Sequence, residues 1–99
     1  MEQYTLIKPI VFQGEEVKEI QLDLDSLTGE DIIYADRQFL LSNEMNQGIT
    51  VKETTKEFLM FVGARAAKQP GELFYRLSAK DFSRVTLRVQ NFLLVEESV

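Results

Sequence analysis

Hydrophobic positions recur at every second residue early in this chain and at every third or fourth residue later, and the change falls close to residue 25. Tyr4 to Phe12 (YTLIKPIVF) is rich in β-branched and aromatic residues, which suits a strand. Gln13-Gly14-Glu15-Glu16 interrupts it with a glycine that tolerates positive φ, a hairpin signal. The return segment, Val17 to Leu24 (VKEIQLDL), sets Ile20, Leu22 and Leu24 on one face and Glu19, Gln21 and Asp23 on the other. One face is therefore expected to be buried and the other wet. Pro9 has no N–H to give a ladder, which places the first strand at a sheet edge or puts a bulge there. Two strands alone are barely stable, so their apolar face must pack on the remainder of the chain.

Beyond the hairpin the period becomes helical, and each helix is announced by a cap. Thr28-Gly29-Glu30-Asp31 offers a hydroxyl at the cap and a carboxylate three residues on, predicting a helix from about Gly29 to Asn43. Ile32, Ala35 and Phe39 form its apolar stripe, widened by Ile33 and Leu40, and Asp36 falls inside the same arc. Glu44 to Glu53 loses periodicity and reads as a loop with a short extended piece at Ile49 to Val51. Thr54 and Glu57 form a second capping box opening FLMFVGARAA, in which only Arg65 is polar. A helix apolar all round is either central to the core or covered by another chain. Gly63, Ala64, Ala66 and Ala67 would let a neighbouring helix come close.

Gln69-Pro70-Gly71 ends that helix, and Glu72 to Leu77 suits one short helical turn with Phe74 and Leu77 inward. Ser78-Ala79-Lys80-Asp81 is a third capping box, starting a helix that reaches Leu94 or Val95. Phe82, Val85, Val89, Phe92 and Leu93 make its core stripe, while Leu87 and Leu94 fall on another side, which the plainer reading covers with the hairpin or a neighbouring helix and the sharper one leaves for a partner. The expected fold is α+β: an N-terminal β-hairpin in residues 1–25 packed against three to four α-helices in 26–99, all in one domain. Asp36 and Arg65, opposite charges set in apolar helix faces, each reach solvent at the edge of their stripe on the plainer expectation, and pair between the first two long helices on the sharper one.

Composition then narrows the chemistry. The chain has no histidine, cysteine or tryptophan, which removes imidazole bases, thiol nucleophiles and the usual zinc ligand sets. Phosphate-binding glycine motifs are missing too. Glu15-Glu16, Glu30-Asp31 and Glu96-Glu97 are better explained by turn solvation, helix-start acids and a chain end than by acid–base catalysis. Asp23 and Asp25 alone are a weak calcium signal. The expectation is a protein that is not an enzyme and needs no cofactor. A formal charge of −5 disfavours nucleic acid and anionic membranes, and Lys80, Arg84 and Arg88 on the last helix read as a solvated stripe. No basic segment followed by a long apolar run opens the sequence, which is the expectation for an intracellular protein.

The opening LIKPIVFQGEEVKEIQLDLDSLTGEDI carries Lys8-Pro9-Ile10, the Gly14-Glu15 turn, an alternating strand, then Leu27-Thr28-Gly29 and an acid. The segment ELFYRLSAKDFSRVTLRVQNFL carries Leu77, Asp81 and a closing Phe92-Leu93 pair. Together these resemble the tail assembly chaperone family of long-tailed bacteriophages, at both ends of the chain, while Glu44 to Glu53 matches nothing in it. The resemblance implies a protein of the host cytoplasm that binds the tape measure protein, keeps it soluble, helps recruit tail tube subunits, and self-associates. The candidate partner surface is Leu87, Leu94 and Val95 on the last helix with Tyr34 and Leu41 on the first, each apolar and away from its helix's core stripe. Two other readings stay open: a structural tail completion or connector protein, and a small acidic regulatory binding protein.

Overall fold

A computed structural model describes residues 2–42 and 55–94. In chain order the elements are β1 (Glu2–Phe12), β2 (Glu15–Leu22), a 3-10 turn (Leu24–Ser26), α1 (Gly29–Ser42), α2 (Lys56–Ala67), α3 (Gly71–Tyr75) and α4 (Ala79–Leu94). The expected α+β arrangement is present, an antiparallel hairpin packed against four helices.

The hairpin is tighter than its sequence suggests. Phe12 pairs with Glu15, leaving a two-residue loop in which Gln13 and Gly14 take φ of 53° and 81°. Positive φ at both positions is the twist-matched turn that joins strands most compactly, and glycine carries it without strain. β2 thus begins at Glu15, before the expected Val17, and it ends at Leu22. Leu24, expected on the strand, instead opens the 3-10 turn and is buried there. The Asp23 N–H donates to the Ala66 carbonyl at 3.1 Å, which ties the end of the hairpin to α2.

Pro9 lies within a bulge, as expected. The ladder pairs Thr5 with Glu19 and resumes at Ile10 with Val17, so residues 6–9 of β1 face only Lys18 of β2. Regular pairing stops where a donor is missing. On either side of this break the core face is kept: Tyr4, Leu6, Ile20 and Leu22 are buried, and Ile10, Phe12 and Val17 are partly buried against them.

α2 is central rather than covered by another chain. Phe58 to Val62, Ala64 and Ala66 are all buried, and the helix packs on α1, α4, α3 and β2. α1 meets it through Ala35 and Phe39, whose ring stands edge-on to Phe58 with centroids 5.9 Å apart. α4 meets it through Val85 and Val89, and the small residue Gly63 sits at that crossing: a Cβ there would lie 3.4 Å from Val89 Cγ2. The short α3 buries Leu73 and Phe74, and Leu77 follows inward as expected.

Several expected details differ. Ile33, placed on the core stripe of α1, is exposed, because it is one residue on from Ile32 and therefore turned about 100° away. Phe92 is also exposed, near the end of α4, although Val85 and Val89 of the same stripe are buried. The cap of α2 is Thr55, which makes no side-chain cap bond, and Glu57 instead accepts from the Ser42 hydroxyl of α1 at 2.8 Å. Thr54, the Ile49 to Val51 segment, Asn43 and Val95 lie outside the described residues.

Candidate partner-binding surface

Both long helices that flank α2 carry apolar side chains on the face turned away from it. On α4, Leu87 and Leu94 are 53% and 52% exposed, so neither is a core residue. Seven residues apart on a helix, they stand two turns apart on one side, roughly 10 Å along the axis. Phe92 adds apolar surface at the same end. On α1, Leu41 is 86% exposed and Tyr34 about half exposed, joined by Ile33. The two strips are not merged into one patch: α1 and α4 each pack on α2 and touch one another at most marginally.

Tyr34 is more engaged than its off-face position suggests. The Arg65 guanidinium lies 4.2 Å from its ring centroid, a cation–π contact. Arg65 also donates through Nε and Nη2 to Asp31 Oδ1, at 3.1 and 2.7 Å. The expected partner Asp36 is therefore replaced by Asp31, at the start of α1. The reason is local. Thr28 N–H donates to Asp31 Oδ2 at 3.0 Å and fixes that carboxylate at the helix start, leaving its second oxygen toward α2. The Thr28 amide and then the Arg65 guanidinium hold the Asp31 carboxyl below the usual carboxylate range. Tyr34, Asp31 and Arg65 line a polar cleft of about 710 Å³ with Gln38, Lys68 and Glu72.

What fixes the other strip in space is the hairpin's grip on α4. Asp81, fully buried, accepts from the Tyr4 hydroxyl at 2.7 Å, the Ile7 N–H at 2.9 Å and the Lys8 N–H at 3.1 Å. The amides of Ile7 and Lys8 belong to the bulge around Pro9, where the ladder is broken, so Asp81 satisfies donors that the sheet does not. Ser78 completes the set, its hydroxyl donating to Asp81 Oδ2 at 3.0 Å and accepting from the Asp81 N–H at 3.2 Å. Burial alone would raise this carboxyl; the hydrogen bonds from Ile7, Tyr4, Lys8 and Ser78 outweigh it and hold it below the usual range. The same burial, with the Asp81 charge, pushes the Tyr4 phenol up.

Arg88, read as part of a solvated basic stripe, is instead spent on this joint. It pairs with Glu2 and lies 4.9 Å from the Tyr4 ring centroid. Among the described residues no group of three or more Asp or Glu side chains is placed to hold a metal ion, Asp23 and Asp25 included. No helix among them is long and apolar enough to cross a membrane.

No protein-family model matches the sequence, and neither a curated protein nor a solved structure matches it. What the surface can do is therefore argued from its own chemistry. It offers two narrow apolar strips on helices packed against α2, the one on α1 bordered by the polar cleft that Tyr34, Asp31 and Arg65 line. Of the candidate residues, Leu87 and Leu94 share a face, as do Tyr34 and Leu41, and Val95 lies outside the described residues. Ile33 and Phe92 were missed because each sits at the margin of an apolar arc, where sequence periodicity assigns it inward.

Proposed function

We propose that this chain is a non-catalytic tail assembly chaperone of long-tailed bacteriophages, acting in the bacterial cytoplasm on the tape measure protein. The observation that carries the reading is the exposed Leu87–Leu94 pair on α4, a helix whose opposite side is anchored in the core. Such a strip receives an amphipathic helix by side-chain packing. A long helical client exposes apolar stripes that aggregate unless covered, and strips on α4 and α1 would cover them while the −5 charge keeps the complex dispersed. The resemblance of both chain ends to the chaperone family supplies the identity of the client. Recruitment of tail tube subunits and self-association belong to the same reading.

Co-expression with a tape measure protein, followed by size exclusion, tests it. A soluble complex that depends on this chain supports the chaperone reading. Leu87→Lys with Leu94→Lys is expected to leave the far-ultraviolet spectrum and melting temperature nearly unchanged and to weaken the complex at least about tenfold, as loss of a small hot spot does. An insoluble client with this protein eluting alone would overturn the reading, and finding the chain in purified virions would favour a structural tail component.

A further inference from the structure

The apolar pair on α4 belongs to a longer pattern. Lys80, Arg84, Leu87, Asn91 and Leu94 follow one another at alternating steps of four and three residues, and every one of them is exposed. That is the spacing along which one helix meets another in a coiled-coil seam, here about 21 Å long. Val85, Thr86 and Val89 are buried on the opposite side, and among the described residues no element covers the seam. Its two halves differ in chemistry. Leu87 and Leu94 flank Asn91 in the second half, and the first half is two bases. The chain carries −5, yet α4 sets Lys80, Arg84 and Arg88 against Asp81, which is buried and held by the hairpin. Arg88 pairs with Glu2, whereas among the described residues Lys80 and Arg84 have no ion-pair partner. Lys80 sits in the first turn, at the positive end of the helix dipole, where an acid is favoured, and the last turn has no base. Electrostatics within α4 does not account for that placement.

We propose that the α4 seam takes an amphipathic helix of a partner protein that is acidic over one half and apolar over the other. Apolar side chains of that helix pack on Leu87 and Leu94, and its glutamates or aspartates meet Lys80 and Arg84. The proposal rests on the reading of Leu87 and Leu94 as a strip that receives a helix, and it adds the partner's chemistry. Charge complementarity selects the occupant: acids there neutralise two bases and lie at the positive end of α4. The α4 of a second copy has no exposed acid to offer, since its one acid is the buried Asp81. Laid parallel, it sets Lys80 and Arg84 on their own copies; laid antiparallel about Leu87, it sets Lys80 against Leu94. Either way the bases stay without acids.

The probe is a fluorescent three-heptad peptide, alanine-rich outside its seam so that it is helical alone, with glutamates in one half of the seam and leucines in the other. It is made in both directions, so that the acids can meet Lys80 and Arg84 in parallel or antiparallel docking. Titrated with the full chain by anisotropy, one direction should bind saturably, at least about tenfold tighter than its version with lysine in place of glutamate. Non-specific attraction to a chain of −5 would favour the lysine peptide, so the opposite preference reports the seam. Lys80→Glu with Arg84→Glu should reverse the preference, whereas Lys18→Glu with Arg76→Glu, an equal change of net charge at exposed residues elsewhere, should preserve it. Melting temperatures verify that all variants fold. Equal binding of the glutamate and lysine peptides, lost on Leu87→Lys with Leu94→Lys, would overturn the proposal and leave the leucine strip standing. A preference that survives Lys80→Glu with Arg84→Glu would overturn it as well. So would absence of saturable binding, and a dimer of the chain alone that dissociates on Leu87→Lys would then give the seam to a second copy. Co-expression with the tape measure protein decides the chaperone reading separately.

Discussion

Thr28-Gly29-Glu30-Asp31 and Ser78-Ala79-Lys80-Asp81 start α1 and α4 with the same local device, a hydroxyl and an aspartate three residues apart. In the first, Asp31 is half-buried, caps the Thr28 amide and holds Arg65 of α2. In the second, Asp81 is fully buried and gathers the Tyr4 hydroxyl and two bulge amides from the far end of the sequence. A capping motif thus has a local part, which the sequence specifies, and a tertiary part, set by which distant donors arrive. The half-buried copy caps a helix and holds one side chain of its neighbour. The buried copy joins two halves of the fold.

The largest difference between them should come from truncation. Asp81→Ala strands the Tyr4 hydroxyl in the interior and leaves the Ile7 and Lys8 amides without their acceptor at the partly buried bulge, and should cost about 3 kcal/mol in urea denaturation, the upper end for hydrogen bonds to a charged group. Asp31→Ala should cost far less, since water replaces its partners; equal losses would break the comparison. Acid should separate them next. Both carboxyls sit below their ordinary values when folded, so each contributes stability that is present at neutral pH. That contribution is lost as pH falls below the unfolded carboxylate value of about 4 and through the lower folded one. Asp81→Asn should flatten the fall in stability between pH 5 and pH 2, roughly the range over which such carboxylates titrate, more than Asp31→Asn does.

Tyr4→Phe removes one donor to Asp81 and leaves the ring in the core, for an expected loss of about 1 kcal/mol, again by denaturation. The smallest effect belongs to the Asp31–Arg65 pair. Arg65→Met should cost less than Tyr4→Phe, and a double-mutant cycle should show coupling to Asp31 and none to Asp36. Coupling to Asp36 instead would restore the pairing that sequence spacing alone suggests.

Much of the fold was legible because it rests on local signals: the Gln13-Gly14 turn, the change of period, the caps at Thr28 and Ser78, and the run of apolar residues that makes α2 the centre. Pro9 correctly marked a bulge. Its consequence, two amides released to an aspartate more than seventy residues away, has no local signature. The same limit applied to charge. Asp36 looked like the partner of Arg65 because it interrupts an apolar stripe, but the carboxylate already held by Thr28 is the one that faces α2. Leu41, Leu87 and Leu94 lie off the core stripes, where the helical angle is wide, and all three are exposed; the plainer expectation that the hairpin or a neighbouring helix covers Leu87 and Leu94 is not met. Ile33 and Phe92, at the stripe margins, depend on how far the neighbouring element extends, which periodicity does not encode.

The Asp81 joint also bears on the order in which the chain assembles. The hairpin closes through a two-residue loop, and α2, α3 and α4 follow one another with three residues between each, whereas Asp81 meets residues 73 to 77 positions away. Contacts that close so long a loop form late, after the entropy of bringing the ends together has been met by burial elsewhere. Removing the Asp81 carboxylate would then leave the folding rate nearly unchanged and accelerate unfolding, so the joint acts on the lifetime of the native state rather than on how quickly it is reached.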